Sequence, residues 1–312
     1  MIRSLLLALA LPLAAQADPI DDHSLPRITA FAEATAALAA QDCDPAALRP
    51  AFAEAATTWA AMSHLTMGPV EDEGRGRIVL FWPDGRDATG RGLRLLRETG
   101  EESWTPEGIA RASAAARGLG ALERLIWEAD AEPCALTLAL ADDLAATAAR
   151  IEAGWRDGFA DLMRRPGADG NTRFLDASEV QAAFFTALMT GLEHVAERRL
   201  GAPLGTFDRP RPLRAELRRA GLSLPMVVAS LEALRDLAAA MADAPETDAA
   251  FARALETADR IETADLTQVA DPSGRLQVET LQTAVNTIRQ TADREIGGAL
   301  GVAQGFNAAD GD

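Results

Sequence analysis

The sequence predicts an all-α protein built as two helical bundles. Three observations carry that reading. Apolar residues recur at three- and four-residue spacing through most of the chain, alanine is the commonest residue, and aromatics make up only 5% with no Tyr at all. A chain so poor in aromatic and β-branched side chains does not build sheets.

In chain order, the helical period runs through residues 27–41, 45–65, 106–128, 134–164, 177–200, 224–243, 247–263 and 276–300. Thr105-Pro106 places a capping hydroxyl before a proline at a first helical position, and Asp176-Ala177-Ser178-Glu179 reads as a capping box. One stretch looks extended: Arg77-Ile78-Val79-Leu80-Phe81-Trp82, ending in the turn Pro83-Asp84-Gly85, amounts to one short strand at most. Turn-forming residues cluster at 166–171 and again at 201–212. The first cluster divides the chain into an N-terminal bundle, residues 18–168, and a C-terminal bundle, residues 169–312. A ligand site in such a protein belongs in the crevice between the bundles.

Residues 1–17 read as a signal peptide. Arg3 supplies the positive end, Leu5 to Leu13 the apolar run, and Ala15-Gln16-Ala17 the small-x-small cleavage pattern. The run is too short to span a bilayer, so export with no transmembrane segment in the mature chain is expected. No cysteine follows the cleavage point to carry a lipid. Export gives meaning to the two cysteines, Cys43 and Cys134, which in an oxidising compartment either pair or stay as two separately buried thiols. The 47 acidic residues face 30 arginines and no lysine, a net charge of −17. That balance argues against nucleic acid and against anionic membrane surfaces as partners, since both select for basic patches.

Candidate chemistry centres on Glu123. Wound as one helix, 106–128 places Ile109, Leu119, Leu122 and Ile126 on a single face, with Glu123 near its middle. A carboxylate there must find a partner or raise its pKa. Gly118 and Gly120, within one turn, weaken the helix, and their justification is space for something to approach the backbone. One reading is a pocket with Glu123 at its base; the other is a structural ion pair with an arginine of a neighbouring helix.

His194-Val195-Ala196-Glu197, with Glu193 beside it, offers His-x-x-Glu spacing. The helical winding, however, sends Glu193 and Glu197 to solvent and leaves His194 on the flank. His23 is expected to be disordered near the mature terminus, and His64 to sit near a helix end.

Five segments in order resemble the imelysin family: Trp59 through Met67-Gly68-Pro69; Arg77 through Trp82-Pro83-Asp84; Gly118-Leu119-Gly120-Ala121-Leu122-Glu123 with Leu125-Ile126-Trp127; Gly191-Leu192 through Leu200-Gly201-Ala202-Pro203-Leu204; and Gly301 to Gly305-Phe306-Asn307. The resemblance covers nearly the whole mature chain. It implies a periplasmic protein of two helical bundles, linked to iron uptake and labelled a metallopeptidase, with a site around a Gly-x-His-x-x-Glu motif between the bundles. In this chain the His position of that motif holds Gly120, while Glu123 is retained. One carboxylate without its imidazole makes a poor zinc or iron site, so no cofactor is assigned, and Glu123 and His64 are the residues left as metal ligands.

The expected function is therefore non-enzymatic binding of an iron-related ligand, a small molecule or a partner. The site is a crevice bounded by Trp59, Arg77, Gly118, Gly120, Glu123 and Asp84, and the partner a periplasmic iron-uptake or membrane protein. A metal-dependent peptidase using Glu123 and a purely structural scaffold are the alternatives.

Overall fold

A computed structural model of the chain describes residues 18–128 and 134–301. The expected signal peptide, residues 1–17, lies outside the described residues, as does most of the Gly301–Asn307 ending. The N-terminal half contributes α1 (Leu25–Ala39), α2 (Pro45–Met62), α3 (Arg75–Val79), α4 (Ala88–Thr99), α5 (Pro106–Ala110), α6 (Gly118–Trp127), α7 (Cys134–Gly154) and α8 (Ala160–Arg164). The C-terminal half contributes α9 (Ala177–Glu193), α10 (Gly201–Leu204), α11 (Ser223–Met241), α12 (Pro245–Ala258), α13 (Pro272–Ala292) and α14 (Gly298–Leu300). No strand occurs among the described residues.

The helices start where local chemistry satisfies their first amides. Asp44 accepts from the Ala46 amide at 3.0 Å ahead of Pro45 at the start of α2. Asp271 does the same for α13, accepting from Ser273 at 2.9 Å with Pro272 behind it. The capping box at α9 forms, with Asp176 accepting from Ser178 and Glu179. Glu179 reaches back to the amide of Leu175 at 2.6 Å, one residue beyond the usual partner.

In the first bundle α1 packs against both α2 and α7, and α6 lies across α2 and α7. The fully buried rings of Phe31, Phe52 and Trp155 fill their centre, each worth about 2–3 kcal/mol relative to exposure. In the second bundle α11, α12, α13 and α9 surround Phe251, Leu234 and Ile288. The bundles join along α2 and α11, where the hydroxyl of Ser230 donates to the Ala60 carbonyl at 2.8 Å. No helix among the described residues is long and apolar enough to cross a membrane.

Two expected elements differ. The stretch 77–82 is not a strand: Gly74, at φ +67°, turns the chain into α3, which packs on α7. The backbone becomes extended only at Leu80, and no strand lies beside it among the described residues. The helix expected over 106–128 is broken into α5, a short turn at Ala114–Ala116, and α6. The break is needed because Arg117, extended at φ −122° and ψ 171°, sends its guanidinium to the buried Asp143 of α7, with contacts of 2.8 and 2.6 Å. Alanine-rich periodicity runs unbroken through such a break and conceals it.

Cys43, in the loop before α2, is bonded to Cys134 at the first residue of α7, with Cα atoms 5.8 Å apart and a sequence separation of 91. Closing a loop of that length stabilises by roughly 4–5 kcal/mol on the chain-entropy model. Replacing both cysteines by serine is expected to lower unfolding free energy by about 3–5 kcal/mol in a urea titration. Reductant should shift the wild-type midpoint toward that of the variant.

Candidate functional site

The local structure around Glu123 starts from Gly118. Its φ of +67° suits glycine alone, and a Cβ there would run into the carbonyl oxygens of Ile78 and Val79. What approaches the backbone at Gly118 is thus the chain's own α3, which fixes the N-terminus of α6. Gly120 is different. A Cβ would meet only the Phe81 carbonyl at 3.8 Å and Leu80 at 4.0 Å, ordinary contacts, so the position is open.

Glu123 points inward as the sequence indicates and is 4% exposed. Its Oε1 accepts from the backbone amides of Arg219 at 2.8 Å and Ala220 at 3.2 Å, and its Oε2 lies 3.6 Å from the Arg219 guanidinium. Burial raises its pKa, partly offset by the Ala220 amide and the Arg219 charge. The carboxylate therefore clamps residues 219–220 of the second half onto α6. Asp84 is also occupied, its two oxygens accepting from the amides of Ala88 and Thr89 at 2.8 Å each to cap α4. Burial alone would raise the Asp84 carboxyl, and the Thr89 and Ala88 amides outweigh it and hold it below the usual range. Glu123, Asp84 and Gly120 share a small cavity of about 110 Å³. Gly118 does not line it.

The larger opening lies on the other side of Leu80 and Trp82, which wall both cavities. It is a crevice of about 520 Å³ between the bundles, and it contains Trp59 and Arg77 of the expected set. One wall is Trp59 at the end of α2, with Val70 and Leu80; the other is Thr190 and Leu234 of α9 and α11. Glu123 and His64, the two metal-ligand candidates, line different cavities.

The crevice holds residues the sequence did not single out. Past Glu193 the helix widens into a π-helical stretch, His194–Leu200, and the widened turns carry Arg199 inward. Arg199 is 2% exposed. Its Nε donates to Glu216 Oε2 at 2.6 Å, one terminal nitrogen bonds Ser230 Oγ, and the other reaches Ser63 Oγ at 3.3 Å. Glu216 is 1% exposed, and its second oxygen, Oε1, has no hydrogen-bond partner among the described residues. Glu193 and Glu197 are exposed, as the winding indicates, but His194 turns into the crevice beside Trp82, ring centroids 6.2 Å apart. Its pKa falls to about 3 through burial and the nearby Arg199 and Arg198 charges.

His23 is not disordered. It is buried in a helical turn ahead of α1, its Nε2 2.8 Å from His64 Nε2 behind the crevice wall. One ring donates and the other accepts, and the depressed pKa of each keeps both neutral at pH 7. Burial is the first cause of each depressed pKa; His64 is held at about 3 with Arg27 and Arg199 adding to it, and His23 falls well below 6.5.

The donor sets do not suit a metal. Gly120 offers no ligand where the motif carries its imidazole, and Glu123 has amides on one oxygen and a guanidinium beside the other. No group of three His, Cys, Asp or Glu side chains converges among the described residues.

Two helical bundles enclosing an aromatic-walled crevice with a buried ion pair at its floor define the class of protein. The imelysin family model matches residues 21–292, and the chain belongs to that family. Among solved structures, an imelysin-like protein from Psychrobacter arcticum 273-4 shares the fold at a TM-score of 0.77 and 19% identity, over 92% of this chain and 95% of that one. A putative iron-regulated protein A precursor from Parabacteroides distasonis ATCC 8503 aligns at a TM-score of 0.55 and 15% identity, over 86% and 89%. No curated protein matches.

Two pH dependences follow. Because the folded pKa of Glu123 is raised, the fold binds its proton more readily than the unfolded chain does, and this group's contribution declines as pH rises above about 4.3. Wild type should therefore lose stability relative to Glu123→Gln over that window, whereas Glu123→Ala, which strands two amides, should cost about 2–4 kcal/mol at pH 7 in urea unfolding. The depressed histidines act in the opposite sense. Their contribution is complete above about pH 6.5 and is lost as pH falls toward 3, by up to about 1.4 kcal/mol per unit for each ring. His64→Gln should flatten the unfolding midpoint measured between pH 7 and 5.

Proposed function

We propose that this chain is an exported periplasmic binding protein that holds a small organic molecule in the crevice between its bundles and carries out no reaction on it. The observation that supports this best is the crevice floor. Glu216 is buried, paired through one oxygen with Arg199, and left with a free acceptor beside an opening of about 520 Å³, a size usual for ligand sites. An acceptor so placed calls for a donor, and a ligand carrying an O–H or N–H group supplies it. Trp59, Trp82, Val70 and Leu234 give the body of such a molecule apolar walls.

Catalysis by Glu123 finds no support in its geometry, since a carboxylate holding two backbone amides is not free to move a proton. The name of the Parabacteroides relative, an iron-regulated protein, favours a ligand or partner connected with iron uptake, and the charge pattern of residues 1–17 favours the periplasm.

Calorimetric titration of residues 18–312 with zinc chloride, ferric citrate and haem tests the reading. Zinc alone should give no heat beyond dilution. At least one of the iron-carrying organic ligands should bind, and Glu216→Gln should weaken it about tenfold. Stoichiometric zinc binding, or organic-ligand binding indifferent to Glu216, would refute it.

A further inference from the structure

Two of the chain's three histidines are committed to each other. The Nε2 atoms of His23 and His64 share a hydrogen bond, and the Nδ1 atom of each is buried without a partner. His194 is placed differently. It is half-buried, it lines the crevice, and neither of its ring nitrogens forms a hydrogen bond among the described residues. Unlike the Nδ1 atoms of the other two rings, its nitrogens are not shut away from open space.

The helix explains that position. Regular winding of α9 ends at Glu193 and the π-helical stretch begins at His194, so the imidazole leaves the helix where its turns widen. Packing steadies the ring. Trp82 stands edge-on to it, and the Trp82 indole N–H is itself held by the Arg214 carbonyl at 3.2 Å. Burial and the charges of Arg199 and Arg198 keep the imidazole neutral, which leaves a lone pair on one nitrogen.

A neutral imidazole facing a cavity is a metal ligand in waiting. Alone it does not hold a bare ion, which needs several donors, and no such group converges among the described residues. One imidazole suffices for a metal that arrives with its other ligands in place. Iron in a porphyrin is such a metal: the ring supplies four nitrogens, and the protein adds an axial one and an apolar pocket. The crevice meets the second requirement. Trp59, Val70, Leu80, Trp82 and Leu234 line it, and its volume of about 520 Å³ lies in the usual range for ligand sites. Its exposed charges are one of each sign, Arg77 and Glu71, so net charge selects nothing there. A propionic acid on the porphyrin edge carries the O–H that the free oxygen of Glu216 calls for.

We infer that the crevice takes a metalloporphyrin, with His194 as the single axial ligand from the protein and the apolar walls against the ring. This rests on the crevice reading above and narrows it to one chemical class.

Haemin and metal-free protoporphyrin IX share one ring and differ in the metal, and together they test the assignment on residues 18–312. Haemin should bind with the Soret shift of one bound imidazole, and on reduction with dithionite should give a five-coordinate ferrous spectrum. His194→Ala should remove that shift and weaken haemin about tenfold or more. Free imidazole added to the variant should restore the spectrum. Protoporphyrin IX, followed by fluorescence, should bind wild type and variant alike, which also shows that the variant is folded.

If haemin binds His194→Ala with unchanged affinity and spectrum, or if the variant loses both ligands alike, the axial assignment is overturned. If haemin does not bind the wild type, the porphyrin class is overturned. In each case Glu216-dependent binding of ferric citrate would leave the crevice reading standing, and its absence together with that of haemin binding would mean that the crevice reading has failed as well.

Discussion

A guanidinium taken out of water must be given acceptors on every side, and the crevice depends on how Arg199 meets that requirement. Its partners come from three places: Glu216 in the loop before α11, Ser230 within α11, and Ser63 at the end of α2. Removing one partner of a buried pair of this kind leaves an uncompensated charge worth several kcal/mol, so the three elements are held in register by a single side chain. Ser230 passes the constraint on by donating to Ala60 of α2. The floor of the crevice and the joint between the bundles are thus one network.

The second tie across the molecule is weaker and more local. Glu123 holds the amides of 219 and 220, three and four residues beyond Glu216. The short segment 216–220 is therefore fixed from both sides, by Arg199 within its own half and by α6 from the other. That arrangement explains how the Glu123 carboxylate is buried with partners for both of its oxygens. It also places Arg214 and Arg211, just upstream, where the loop leaves the interior and returns to solvent.

Much of the fold is legible in the sequence, for physical reasons that differ by element. Helices of amphipathic period, and caps such as Asp176 and Thr105, are short-range facts and read correctly. The inward direction of Glu123 is legible from its phase among Leu119, Leu122 and Ile126, since those residues share the intact helix α6. The break at 111–117 is not legible, because alanine fits a helix and a tight turn equally well. The pairing of Cys43 with Cys134 depends on Cα separation, which spacing alone leaves open. Arg199 and Glu216 were missed for a related reason. Seventeen residues apart, each looks like an ordinary surface charge, and the π-helical widening after Glu193 shifts the phase by which Arg199 would have been placed. His23 was misread because nearness to a terminus says nothing about a ring 2.8 Å from a partner forty-one residues away. Net charge is silent about distribution: a sum of −17 includes two arginine-rich segments, 75–97 and 209–219, of opposite sign.

The room at Gly120 has a consequence for substitution. Neighbouring side chains have not crept in to fill it, and a Cβ there would sit at ordinary distance from Phe81 and Leu80. A side chain introduced at this position would leave the backbone without displacing a neighbour, beside the small cavity that Gly120 lines together with Glu123 and Asp84.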